Sequence, residues 1–228
     1  MGLLQDAKAI AMKDPAARNT FEVVLLYSGF HALVYHKLSG LFYRRGLKFI
    51  ARAISQTGRF FTGIEIHPGA KLGSGLFIDH GMGVVIGETA VIGDNCTIYH
   101  QVTLGGTGKE KNAKRHPTVG NNVLIGAGAK LLGPFTVGDN ALIGAGSVVL
   151  SDVPENATVV GIKARIVKCG GSKISPSDEL NQCRLPDPIA QEICQLRVIV
   201  ERQNEELEKL KSEIKTIIGR KEQQNEVI

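Results

Sequence analysis

The sequence contains no tryptophan, and aromatic residues make up only 5% of its 228 positions. That composition favours an interior filled by Val, Ile, Leu and Ala over one built around rings. The four cysteines (Cys96, Cys169, Cys183, Cys194) form no CxxC pair and no metal-ligand spacing. Neither a disulfide framework nor a metal site is therefore expected, and a reducing compartment is inferred. No apolar run approaches the roughly 18 residues of a membrane helix. MGLLQDAKAI lacks the basic segment and long apolar run of a secretory signal, and Asp6 stands where a myristoylation signal wants Ser or Thr. These absences predict a cytoplasmic protein with no membrane contact. Basic and aromatic residues do not interleave, so the net charge of +5 does not point to nucleic acid. Arg44, Arg45, Lys48 and Arg52 read as a solvated basic surface.

Glycine, by contrast, is abundant at 27 residues. Across the middle third an aliphatic residue recurs every six positions: Ile66, Leu72, Ile78, then Ile86, Ile92, Ile98, Leu104, then Val119, Ile125, Leu131, Val137, Ile143, Val149. Gly often follows it (Gly73, Gly87, Gly93, Gly105, Gly120, Gly126, Gly138, Gly144), and a small residue often stands two before it (Ala70, Ala90, Cys96, Ala129, Ala141, Ser147). A period of six is neither helical nor that of a plain strand; it marks a repeat architecture. Three hexads make one triangular coil, with one aliphatic side chain inward per side and small residues at tight corners. This is the hexapeptide pattern of a parallel β-helix, and Cys96, in a corner slot, reads as a buried free thiol. In known families with this repeat the coils are left-handed, an exception to the usual crossover rule.

The period breaks twice. Ile78 to Ile86 is a step of eight, which places two extra residues around Asp79-His80-Gly81-Met82-Gly83. Leu104 to Val119 is a step of fifteen, nine beyond the period, which ejects a polar excursion from Gly105 to Pro117. Polar excursions from a rigid scaffold are usual places for function, and each break carries a histidine. Lys109, Lys111, Lys114 and Arg115 beside Gly-Gly-Thr-Gly would suit a phosphorylated small molecule.

Residues 1–62 read as a helical region, with Asp14-Pro15-Ala16 resembling a helix start. Residues 63–168 are the β-helix, and 169–188 a polar linker marked by Gly and Pro. Over 189–218, Ile189, Ile193, Leu196, Val200, Gln203, Leu207, Leu210, Ile214 and Ile217 alternate steps of four and three. Such a narrow stripe needs partner helices, so a coiled coil is expected, with Gln203 tolerable on a trimer axis and Glu206 placed to pair with Lys211 of another copy. Residues 219–228 form a tail. The fold class is thus α+β: helical region, left-handed parallel β-helix, coiled-coil helix.

The stretch IEIHPGAKLGSGLFIDHGMGVVIGETAVIGDN, followed by VTLGGTGK, RHP, VLIGAGAKLLG and IGAGSVVLSDVP, closely resembles the serine O-acetyltransferases, which activate L-serine for cysteine synthesis. KDPAARN and GFHAL resemble the end of that family's helical domain, so the likeness runs from about residue 10 to 168. It implies that acetyl-CoA is the cosubstrate, with no permanently bound cofactor. It also implies that His80 is the general base taking the proton from the serine hydroxyl. A free hydroxyl is a poor nucleophile near neutral pH, where imidazole titrates. The family places an Asp where this chain has Glu65, which is implied to orient His80, with Glu88 a second candidate beside the substrate. Asp14 and Asp79 match residues that hold the ammonium group, Arg115 the one that clamps the carboxylate, and His116 a second active-site imidazole. Gly106, Thr107, Ala127 and Ala145 match contacts to acetyl-CoA, with Lys109 a candidate for its phosphates. Read without the resemblance, Asp14 is a helix cap and His116 an exposed loop residue. His31, His36, His67 and His100 are left as structural.

The resemblance further implies a homotrimer whose acetyl-CoA groove lies between β-helices, inhibition by L-cysteine at the serine site, and capture of the terminal Ile228 by O-acetylserine sulfhydrylase. The N-terminal region is shorter than in members that assemble as hexamers. Two other readings remain open: acetyl transfer to another small hydroxyl acceptor, and a zinc carbonic anhydrase of the same scaffold with His80, His100 and His116 as ligands.

Overall fold

The computed structural model describes residues 2–108, 113–162 and 164–168, together with 196, 199, 200, 202–204, 206 and 207. The chain divides into two compact units, Met1–Leu185 and Pro186–Ile228.

Four helices open the first unit: α1 (Leu3–Lys13), α2 (Thr20–Leu26), α3 (Ser28–Arg44) and α4 (Lys48–Thr62). Asn19 caps α2, its side chain accepting from the Glu22 backbone N–H. Asp14 does not start a helix, contrary to the sequence reading. It is the C-cap of α1, and its Oδ1 accepts the Ala16 N–H at 2.8 Å in the turn that follows. The misreading has a simple cause: a carboxylate accepting an N–H two residues on has the same local sequence at a turn as at a helix start. Helices α3 and α4 pack tightly, because a Cβ at Gly58 would sit 2.8 Å from the Tyr35 side chain. Gly63 ends α4 in the left-handed conformation (φ 72°) and hands the chain to the first strand. No helix among the described residues is long and apolar enough to cross a membrane.

The chain then winds as a left-handed parallel β-helix with three faces. The first face stacks β1 (Glu65–Ile66), β4 (Val85–Ile86), β7 (Thr103–Gly105), β10 (Lys130–Leu132) and β13 (Val148–Val149). The second stacks β2 (Lys71–Leu72), β5 (Val91–Ile92), β8 (Thr118–Val119) and β11 (Thr136–Val137). The third stacks β3 (Phe77–Ile78), β6 (Thr97–Ile98), β9 (Leu124–Ile125), β12 (Leu142–Ile143) and β14 (Thr158–Val160), and β15 (Arg165–Lys168) adds antiparallel to β14. The hexad residues align coil on coil, as in Ile78–Ile98–Ile125–Ile143–Val159. Apart from half-buried Leu72, all of them are buried, and Ala70, Ala90, Cys96, Ala129, Ala141 and Ser147 are buried beside them.

The corner chemistry is finer than the pattern suggested. The left-handed residue lies three after the inward aliphatic: Gly75, Asn95, Gln101, Asn122, Gly128, Asn140 and Gly146 all have φ between 53° and 71°. Asn tolerates this region better than most side chains. Among the hexad glycines, Gly73, Gly93, Gly120 and Gly138 serve coil stacking instead. A Cβ on Gly73 would lie 2.5 Å from the Gly93 carbonyl oxygen, and one on Gly93 2.6 Å from that of Gly120. Amide side chains bond along the axis, Asn122 Nδ2 donating to Asn140 and Asn140 Nδ2 to Asn156, each at 3.2 Å.

In the second unit the described residues are helical; Leu196, Val200 and Leu207 are exposed, and Arg202 pairs with Glu206 at 3.6 Å. The rest of the heptad over 189–218, Lys211 included, and the expected linker and Ile228 tail lie outside the described residues.

Candidate active site

The first break forms the corner between the third and first faces. His80 (φ 57°), Gly81 (61°) and Gly83 (76°) all take the left-handed region, and the Asp79 carbonyl accepts the Gly81 N–H at 2.6 Å. A Cβ at Gly81 would strike the Ile64 side chain. This tight, sparsely populated backbone lifts His80 out of the wall, with its side chain 77% exposed and Nε2 3.8 Å from Asp79 Oδ1. Burial pushes the Asp79 carboxyl above its ordinary value; the neighbouring His80 opposes this and the Asp14 charge adds to it. Asp14 accepts a 2.6 Å hydrogen bond from the Tyr27 hydroxyl. Tyr99, raised first by burial and then by Asp79 and Asp14, belongs to the same neighbourhood. His100 stacks edge-on to His80 with ring centroids 6.2 Å apart. Two carboxylates beside an imidazole make this corner fit to hold a cation next to a proton acceptor. Ala127 and Ala145 lie at the same corner two and three coils on, where the Gly146 N–H donates to the Ala127 carbonyl at 2.8 Å.

The second break forms the corner between the first and second faces. Here Glu88, Thr89, Arg115 and His116 come together with Gly106 and Thr107. Glu88 accepts the Tyr43 hydroxyl at 2.8 Å, which holds its carboxyl below the ordinary value. His116 is buried, only 7% exposed, and its ring stands against Gly87 so closely that any Cβ there would overlap it. Burial, then the charges of Arg115 and Lys114, lower its pKa. The Thr107 N–H donates to the Arg115 carbonyl at 3.2 Å, joining the start of the excursion to its end. Lys109 lies outside the described residues.

The sequence-derived set thus splits over two corners on opposite edges of the first face: Asp14, Asp79, His80, Ala127 and Ala145 on one, Glu88, Gly106, Thr107, Arg115 and His116 on the other. The contacts of Glu65 run to α4. Glu65 makes no hydrogen bond or ion pair with His80. Arg59 Nη1 holds its Oε2 at 3.0 Å, while Arg52 and Gln56 approach Oε1 at 3.5 and 3.4 Å. The longer side chain reaches α4, whose two arginines supply the charge. Glu88, the other candidate orienter, sits at the far corner and is engaged by Tyr43. Sequence reasoning passed over Thr89, although it stands in the quoted GET motif; it also passed over Tyr27 and Tyr43, whose contacts are long-range and leave no pattern.

A family model described as bacterial transferase hexapeptide (six repeats) matches residues 116–151. The chain is 54% identical over 223 residues to the serine acetyltransferase of Bacillus pumilus, covering 98% of each chain. It is also similar to a crystal structure of Neisseria gonorrhoeae serine acetyltransferase in complex with serine, with TM-score 0.70, 44% identity, and coverage of 73% of this chain and 67% of that one. A serine acetyltransferase from Brucella abortus in complex with coenzyme A superimposes with TM-score 0.71 and 48% identity, over 74% of this chain and 67% of that one.

Proposed function

The chain belongs to the serine acetyltransferase family, and from that premise we propose how its own residues divide the O-acetylation of serine. Acetyl-CoA is the donor and L-serine the acceptor. The His80 imidazole takes the serine hydroxyl proton as that oxygen attacks the thioester carbonyl carbon. The tetrahedral intermediate collapses with cleavage of the C–S bond, and the proton passes from His80 to the departing CoA thiolate. Atoms and charge balance without metal or redox partner. Asp14 and Asp79 hold the serine ammonium, and the Arg115 guanidinium forks onto its carboxylate. The observation that carries this reading is the pairing of Asp79 with the lifted, exposed His80 in a chain so close to known serine acetyltransferases.

The division of the set between two corners supports a trimer with the site between copies. In that arrangement the His80 corner of one β-helix faces the Arg115 corner of the next, and acetyl-CoA lies in the groove, flanked by Ala127 and Ala145 on one side and Gly106 and Thr107 on the other, with Lys109 toward its phosphates. Closure would also wall in an imidazole that a single chain leaves 77% exposed. The Asp79 carboxylate, 3.8 Å from His80 Nε2, stabilises by charge the imidazolium formed in the reaction, while Glu65 is held by α4. The heptad over 189–218 reinforces the trimer as a parallel coiled coil. L-cysteine, which differs from serine by sulfur in place of oxygen, inhibits by occupying the same site. The tail ending in Ile228 offers a carboxylate and an apolar side chain to the amino-acid pocket of O-acetylserine sulfhydrylase.

The test is an assay of purified protein with L-serine and acetyl-CoA, run with and without L-cysteine. CoA release that depends on serine and falls with cysteine is expected. Acetylation of a different hydroxyl compound in preference to serine would overturn the assignment.

A further inference from the structure

Thr89 uses every polar atom it has on three residues near the end of the excursion, Lys114, Arg115 and His116. Its carbonyl accepts Lys114 Nζ at 2.6 Å. Its Oγ1 accepts the backbone N–H of Arg115 at 3.1 Å and that of His116 at 3.2 Å. Its backbone N–H donates to His116 Nδ1 at 3.2 Å, and Oγ1 lies 2.8 Å from the same nitrogen.

These contacts leave one proton arrangement. A hydroxyl oxygen has two acceptor sites and one proton. Both acceptor sites are taken by backbone N–H groups, so the Thr89 hydroxyl has only its proton to give, and Nδ1 receives it. The Thr89 backbone N–H, which can only donate, points to the same atom. Nδ1 therefore carries the lone pair and the ring proton sits on Nε2. We infer that Thr89 is a positioning residue that locks His116 as a neutral Nε2–H tautomer, making His116 a hydrogen-bond donor to the reacting group and not a second base. The role toward the reacting group rests on the serine acetyltransferase reading, and the tautomer on geometry alone.

The surroundings agree. The charged and titratable groups about the ring are Arg115 and Lys114 on the excursion, Glu88 on the facing corner with Tyr43 of α3 behind it, and His67 after β1. Burial first and the two cations next disfavour an imidazolium, and Glu88 alone opposes them. Nε2 makes no hydrogen bond among the described residues and lies beside Gly87, where a Cβ would overlap it, and Gly106, where one would come to 3.0 Å from it. The Nε2–H is thus left for an incoming oxygen. In acyl transfer the oxygen that gains charge is the thioester carbonyl oxygen, and a preset neutral donor stabilises it without a proton having to move.

The experiment uses full-length protein labelled with 15N at histidine. His116 is identified by the loss of its signals in His116→Gln, and the two-bond 1H–15N pattern reports which nitrogen is protonated. In the wild type, His116 should show the Nε2–H pattern alone and stay neutral where a free imidazole, of pKa about 6.5, is half protonated. Thr89→Val removes the hydroxyl that stabilises the neutral form, so the titration should move up and the second tautomer should appear. Thr89→Ser should behave as the wild type. In kinetics, Thr89→Val should lower kcat by about tenfold with the KM for acetyl-CoA unchanged, and Thr89→Ser should restore most of it. A wild-type His116 protonated at Nδ1, or a Thr89→Val titration and tautomer identical to the wild type, overturns the lock. Should Thr89→Val fail to fold, the wild-type tautomer and the Thr89→Ser titration still decide. If the protein did not acetylate serine, the reaction assignment would fall while the spectra still judged the lock.

Discussion

The Tyr27 hydroxyl donates to Asp14 Oδ2 at 2.6 Å while Asp14 Oδ1 holds the Ala16 N–H at 2.8 Å, so both oxygens of this carboxylate are fixed from within the helical region. The residue proposed to meet the serine ammonium is therefore set in place by the junction between α2 and α3. Burial and the Asp14 hydrogen bond push the Tyr27 hydroxyl up to about 12, so it stays a donor throughout the working pH range. Tyr27→Phe is expected to raise the KM for serine roughly fivefold, in line with a hydrogen bond worth about 1 kcal/mol, and to leave the KM for acetyl-CoA in place. Equal changes in both constants would assign Tyr27 to folding alone.

His80→Ala should reduce kcat by about 10² to 10⁴, the range for one positioned base. His116 should not substitute, since its Nε2 already carries a proton. Glu65→Gln separates the two carboxylates: with Glu65 held by Arg52 and Arg59, turnover should change less than threefold or so, because these partly buried pairs tie Glu65 to α4 and contribute nothing direct to the base. Asp79→Asn should have the larger effect on kcat. The reverse order would give the orienting role to Glu65.

Arg115→Lys should raise the KM for serine roughly tenfold to a hundredfold, since a point charge cannot reproduce two parallel hydrogen bonds to a carboxylate. Initial-rate series in each substrate check this. An equal rise for acetyl-CoA would move Arg115 to the phosphates.

His36 supplies a pH dependence of stability. Burial, followed by the charges of Arg44, His67 and Lys37, lowers its pKa from 6.5 to about 4. Between those values the unfolded chain binds a proton that the folded chain refuses, so stability falls as pH drops from about 6.5 towards 4. Urea unfolding at pH 7 and pH 5 should show a larger loss for the wild type than for His36→Gln. Identical losses would place the acid sensitivity on other groups.

Truncation to residues 1–188 removes the heptad. Light scattering should still find a trimer that turns over, with lower thermal stability. An inactive monomer would make the heptad the organiser of the assembly.

Much of this was legible in the sequence because one inward side chain per face imposes a period of six, and Ile66 to Val149 obey it. The two breaks were equally legible, and even their separation could have been read. Counting hexads by threes puts His80 between the third and first faces and Arg115 between the first and second. What could not be read depends on partners brought in from far along the chain. Nothing in the sequence around Glu65 announces that α4 brings Arg52 and Arg59 beside it. Thr89 looked like a spacer in GET until the chain returned 26 residues later to lay Arg115 on its hydroxyl. The left-handed Asn95, Asn122, Asn140 and Asn156 left a faint signal, an Asn three residues after Ile92, Val119, Val137 and Val153, which the stronger glycine pattern concealed.

The way the coil stack finishes has a consequence for how molecules can meet. Stacked parallel strands expose unpaired backbone at each end, and another copy could in principle extend them into a fibre. At the far end β15 runs against the direction of β14 with a shifted register, while Val153 and Ile162 bridge to β11 and β13. At the near end α1, α3 and α4 lie against β1 and β3. Strand addition onto β1 and β3 at the near end, and onto β11, β13 and β14 at the far end, is thereby hindered, while the sides of the prism display the two halves of the candidate site.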